Sequence, residues 1–93
     1  MNEAEARALL RDHLQSYRGR TYVELVALIG QPQVAELRGD SGAVYQVEVE
    51  SHWDDQPGGD VRVTGAIDDG GWRAFVPLCD SFILSPDGKF VGE

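Results

Sequence analysis

Val44-Tyr45-Gln46-Val47-Glu48-Val49-Glu50-Ser51-His52-Trp53 changes character at almost every step. Tyr45, Val47, Val49 and Trp53 fall on one parity, and Gln46, Glu48, Glu50 and His52 on the other. That is the period of a strand with one buried face and one wet face. The spacing predicts a long central strand over 43–53, and the rest of the chain reads as what surrounds it.

On its N-terminal side, Gln33 to Arg38 is a predicted first strand, joined to the central one through Gly39-Asp40-Ser41-Gly42. On its C-terminal side, Asp54 to Asp60 holds Pro57-Gly58-Gly59 and reads as a polar loop. Val61, Val63 and Ile67 mark a third strand over 61–67. Gly65 within it signals a bulge or a close approach of the helices. Asp68-Asp69-Gly70-Gly71 reads as a hairpin turn, followed by a fourth strand over 72–78 carrying Trp72, Ala74, Val76 and Leu78 on its buried parity. Pro77 donates no ladder hydrogen bond and suits an edge or a strand end. A fifth strand over 80–84, the turn Ser85-Pro86-Asp87-Gly88 and a short returning strand over 89–91 complete the series.

Upstream of the strands the period is helical. Ala6, Leu9, Leu10, His13, Leu14 and Tyr17 recur at three- and four-residue steps, predicting a helix over 3–17 with one apolar stripe. Asn2 and Glu5 have capping-box spacing at its start, and Gly19 ends it. Thr21 and Glu24 repeat that spacing before a second helix over 22–29, which Gly30 and Pro32 terminate. The predicted fold is therefore α+β: one domain over 1–93, with two N-terminal helices on one face of a five- to six-stranded antiparallel meander.

Charge is segregated along the chain. Through Arg38, five arginines balance five acids, whereas Gly39 to Glu93 sets three bases (Arg62, Arg73, Lys89) against eleven acids, so the net charge of −8 belongs to the strand region. Such a surface repels phosphate backbones and anionic lipid, which argues against nucleic-acid or membrane binding and for a basic protein partner. No apolar run approaches the ~20 residues of a membrane span, and no leader of signal-peptide type is evident. With the single cysteine Cys79 excluding an internal disulfide, a cytosolic protein is the expectation.

The candidate chemistry is sparse. Gly39-Asp40-Ser41-Gly42 resembles the string around the nucleophile of chymotrypsin-like serine proteases over four residues. Ala43 stands where a further glycine belongs, the chain is short for that double-barrel fold, and the same residues suit a hairpin connection. Glu48 and Glu50 lie roughly 6–7 Å apart on one strand face, a separation that acid/base carboxylate pairs also use. Arg62 and Arg73, on neighbouring strands, are expected opposite them as cross-strand ion pairs. His52, Asp54, Asp55 and Asp60, with Asp68 and Asp69 in the next turn, offer oxygen ligands without the spacing of a helix-flanked calcium loop. Cys79, in an apolar stretch, is expected to be a buried small hydrophobe, and His13 a half-buried residue of the first helix.

No cofactor, metal or catalytic set is therefore assigned. Val34, Val44, Phe75 and Ile83 have the parity opposite to the buried set and are expected to be left uncovered on the sheet. The leading expectation is a non-enzymatic protein-interaction module acting through a sheet face made of Val44, Gln46, Glu48, Glu50, Arg62, Arg73, Phe75 and Ile83, by self-association as a homodimer or by binding a basic protein. The rival is a small enzyme or divalent-metal binder using Glu48/Glu50 or the Asp54–Asp60 loop.

Overall fold

The structure, a computed structural model, describes residues 1–71 and 76–93. Its elements are α1 (Glu3–Arg18), α2 (Tyr22–Ala27), β1 (Gln33–Arg38), β2 (Val44–Trp53), β3 (Val61–Asp68) and β4 (Leu78–Leu84). The four strands form one antiparallel sheet in the order β1-β2-β3-β4.

β2 alternates as its sequence requires, with Tyr45, Val47, Val49 and Ser51 buried and Gln46, Glu48, Glu50 and His52 exposed. The same inward parity continues through Val61, Val63 and Ile67 in β3 and Leu78, Phe82 and Leu84 in β4. Across this surface lies α1, whose stripe Ala6, Leu10, Leu14 and Tyr17 is buried. α1 packs over β3 and β4, and Gly65 is where the two approach: a β-carbon there would stand 2.8 Å from Leu10 Cδ1 and 3.1 Å from Leu14 Cδ2. Of the alternatives for Gly65, close approach is the one the structure takes. β3 pairs without a break from Val61 to Asp68.

α2 is shorter than its sequence suggested, six residues long, and buries only Leu25. Both halves of the Thr21–Glu24 capping box are present, and the Tyr22 hydroxyl donates to Gly59 O at 2.6 Å, tying α2 to the β2–β3 loop. α2 is capped at Leu28, and Gly30, with φ +80, makes the left-handed turn before Pro32.

Two expectations about the sheet are corrected. It has four strands among the described residues, not five or six. Residues 72–75, where most of the predicted strand over 72–78 falls, lie outside the described residues. Leu78 is not the end of that strand but the start of β4, which runs on through Cys79 to Leu84. Asp80 of β4 is a carboxylate on the inward parity. It sits at the rim beside Arg7 and Arg11 of α1 and stays exposed, so the strand need not stop to expel it. The predicted strand over 89–91 reduces to one bridge, Leu84↔Phe90. Phe90 turns to the helix side, edge-to-face with Phe82 at 5.9 Å and beneath the Arg18 guanidinium at 4.0 Å. Arg18 also donates to Glu93, at 2.9 Å through Nη1.

The helices, moreover, do not share the sheet equally. They lie mainly over β2, β3 and β4, and the helix-side residues of β1, Gln33, Ala35 and Leu37, are only half-buried.

Candidate functional site

The uncovered side of the sheet is built by register. Glu36, Gln46 and Asp68 form one outward rung, then Val34, Glu48, Ala66 and Cys79, then Glu50, Thr64 and Ser81, then His52, Arg62 and Ile83. Val44 pairs with Arg38 at the end nearest the β1–β2 turn. Val44, Gln46, Glu48, Glu50, Arg62 and Ile83 thus share one face, with Gln46, Glu48 and Glu50 exposed and Val44, Arg62 and Ile83 half-buried. Arg73 and Phe75, the other two residues assigned to this face, lie outside the described residues. A shallow hollow of about 300 Å³ is lined by Val34, Gln46, Glu48, Ala66, Asp68 and Pro77.

The expected ion pair between Arg62 and these glutamates does not form. Arg62 stands opposite His52, whereas Glu50 faces Thr64 and Glu48 faces Ala66. The guanidinium turns instead to Asp54, with Nε to Oδ1 at 2.8 Å, and to Ser81 Oγ at 3.1 Å. Arg62 is in register with His52 at the start of β3, too far along for Glu48 and within easy reach of the loop acid. A hydrogen bond with the Glu50 side chain, together with partial desolvation and mutual repulsion, raises the Glu48 pKa above its ordinary value. The sheet face around them is open to water, so they lack the enclosed cavity in which carboxylate pairs do acid/base work.

Other sequence candidates are dispersed. Cys79 is exposed on the open face, not buried, because β4 runs through it on the outward parity; its thiol leans toward Pro77 O at 3.8 Å. His52 sits two outward rungs further along, roughly 13 Å by strand rise, so no Cys79–His52 pair exists. His13 is half-buried on α1, edge-to-face with Tyr17 at 5.7 Å. Among the aspartates, Asp54 is held by Arg62, Asp68 accepts from Gly70 N at 2.8 Å, and Asp69 accepts from Gly71 N at 3.0 Å while facing the N-terminal amine at 3.6 Å. No group of three or more histidine, cysteine or acidic side chains placed to hold a metal occurs among the described residues.

Ser41 has a structural role that the sequence did not reveal. Its hydroxyl donates to Glu5 Oε1 at 2.7 Å and its backbone N–H to Glu5 Oε2 at 3.0 Å, while the Tyr45 hydroxyl donates to Glu5 Oε1 at 2.9 Å. Asn2 caps α1 through Glu5 N at 3.1 Å, but the Glu5 side chain does not complete the capping box; it latches the first turn of α1 to the β1–β2 turn. Gly39 makes room for this carboxylate, which a β-carbon at that position would overlap. The only sequence signal was an acid three residues after Asn2, and local spacing assigned it to the wrong partner.

The donors around Glu5 hold its pKa below the ordinary carboxylate value, led by the Ser41 hydroxyl. A carboxylate depressed in the folded state contributes stability above its unfolded pKa and loses it as pH falls through the folded pKa. Glu5→Gln is therefore expected to lower stability at pH 7 and to narrow the gap from wild type as pH falls below about 4.3. Urea unfolding at a series of pH values from 7 to 3 measures this; a gap that stays constant with pH would show that the latch carries no charge-dependent stability.

Beneath the end of β2, Ser51 Oγ is buried without a hydrogen-bond partner among the described residues, beside a cavity of about 140 Å³ formed with Leu28, Gly30, Gln31 and Pro32. No helix among the described residues is long and apolar enough to cross a membrane. No family model, curated protein or solved structure matches this chain.

Proposed function

We propose that this protein is a non-enzymatic interaction module whose uncovered sheet face docks a basic, partly apolar surface of another protein. The observation that carries this reading is the outward rung of Val34, Glu48 and Ala66 with Glu50 beside it: an exposed apolar residue flanking two acids that have no cation in their own chain among the described residues. A facing lysine or arginine relieves the repulsion between Glu48 and Glu50, and Val34 with Ala66 supplies the apolar centre such interfaces use. The charge segregation from Gly39 onward steers a cationic partner toward this region rather than toward the helices. A reducing, cytosolic setting suits the free and exposed Cys79 thiol.

Nuclear magnetic resonance titration with an arginine-rich hairpin peptide that alternates basic and apolar residues tests the reading. Amide shifts are expected along the outward positions of β2 and β3, with affinity falling steeply as salt rises and at least tenfold weaker in the Glu48→Lys/Glu50→Lys variant. Shifts confined to the helices, or binding indifferent to the double charge reversal, would defeat it.

A further inference from the structure

The sheet ends in two edges of different character. Along β4, the returning tail occupies the outer side at its C-terminal end, where Phe90 bridges Leu84 and Val91 N donates to Ile83 O at 2.9 Å. β1 has no strand beyond it among the described residues. Its hydrogen-bonding phase follows from the hairpin: Gly39 N donates to Ala43 O at 2.9 Å, so by antiparallel alternation Leu37, Ala35 and Gln33 turn their backbone groups to β2. The N–H and C=O groups of Val34, Glu36 and Arg38 then point outward from the edge. Nothing in β1 obstructs another strand: pairing with β2 is regular from Gln33 to Arg38, with no bulge, proline or glycine inside it, and the helices pack mainly over β2, β3 and β4.

The side chains choose the occupant. In an antiparallel pair, directly opposed residues share a face, so the outward groups of two β1 strands meet in registers with the two-fold axis at Ala35, Glu36 or Leu37. An axis at Glu36 sets carboxylate against carboxylate. An axis at Ala35 opposes Arg38 to Pro32, which has no N–H to give. An axis at Leu37 places Glu36 opposite Arg38 of the second copy, twice, and brings the two half-buried Leu37 side chains together on the helix side. Within one chain both charges are exposed and lack an ionic partner among the described residues; Glu36 accepts only from Gln46 Nε2 at 3.3 Å and Arg38 donates to Gly42 O at 3.4 Å.

We propose that β1 pairs antiparallel with β1 of a second copy of this chain, in the register that sets Glu36 against Arg38. Two sheets become one of eight strands, and the two uncovered faces become continuous. The inference stands independently of what that face binds.

Light-scattering mass of the full chain over a wide concentration range, in low salt, tests it. Wild type is expected to pass from monomer to dimer. Glu36→Arg and Arg38→Glu each convert both cross-strand pairs to like charges and should weaken association by about tenfold or more, whereas Glu36→Arg/Arg38→Glu should bring it back to within a factor of about three of wild type. Circular dichroism confirms that each variant is folded. A wild type monomeric at every concentration overturns the proposal. So does a dimer that the single reversals leave intact, or one broken by Glu48→Lys and unaffected at Glu36 and Arg38, since that places the contact on the sheet face instead.

Discussion

Gly65→Val is expected to cost about 3 kcal/mol of folding stability, a large share of what a domain of this size has. Gly65 lies on the inward parity of β3, where Leu10 and Leu14 of α1 come down on the backbone. An added β-carbon would meet Leu10 Cδ1 at 2.8 Å and Leu14 Cδ2 at 3.1 Å. Both leucines are nearly inaccessible, 2 % and 3 % exposed, so neither side chain can swing out of the way and α1 must rise from the sheet. Alanine at this position poses the conflict in its smallest form. It gains over glycine in chain entropy, by roughly 0.5–1 kcal/mol, but overpacking of about 1–3 kcal/mol outweighs that. Trimming the obstacle provides the check: Gly65→Ala combined with Leu10→Ala should be less destabilised than the sum of the two single variants, because the second change removes the methyl groups that the first one strikes. Strictly additive losses in urea unfolding would mean that the helix already stands clear of β3.

Leu25→Ala is expected to cost about 2–5 kcal/mol and to act on one part of the molecule first. α2 is six residues long, far below the length at which a helix persists alone, so its structure depends on being anchored. Leu25 is that anchor, fully buried and the only buried residue of the helix. Truncation leaves a void over β2 and β3, and an exposed capping box with one half-buried hydrogen bond, Tyr22 to Gly59, is too little to hold the turn in place alone. Amide exchange at 22–29 should therefore accelerate more than that of α1 or the central strands. Val23, 75 % exposed on the same helix, is the control: Val23→Ala should change stability by no more than about 0.5 kcal/mol. Equal effects at the two positions would show that α2 is held by its caps rather than by burial.

Much of the fold was legible because its signals are local. Alternation through Val44 to Trp53 identified the buried and wet sides of β2, and glycines with short polar residues located the turns. The capping residue and the glycine after it bounded α1 correctly, since both act within a turn of the backbone they cap. The Gly65 signal was legible too, as a residue without a side chain in an otherwise branched strand. Reading went astray where a side chain's partner is chosen by tertiary packing and register. Glu5 has the spacing of a capping residue yet binds Ser41 and Tyr45, and Arg62 has the parity to oppose Glu48 and Glu50 yet lies beside Asp54. Parity placed Val44, Gln46, Glu48, Glu50, Arg62 and Ile83 on one side of the sheet, but not the electrostatics between them.

What this chain determines by itself is which residues of each element turn inward, because periods of two and 3.6 are properties of the backbone that neighbours cannot alter. Only the tertiary structure decides how far each sheltered side is in fact sheltered. Two helices of such unequal length cannot span four strands, so α1 takes β3 and β4, α2 closes one end, and β1 is left with a half-buried helix side and an unsatisfied edge. Register then decides whether charges meet or miss: a shift of one outward rung, about 7 Å along the strand, is enough to send Arg62 to Asp54 and away from Glu48 and Glu50.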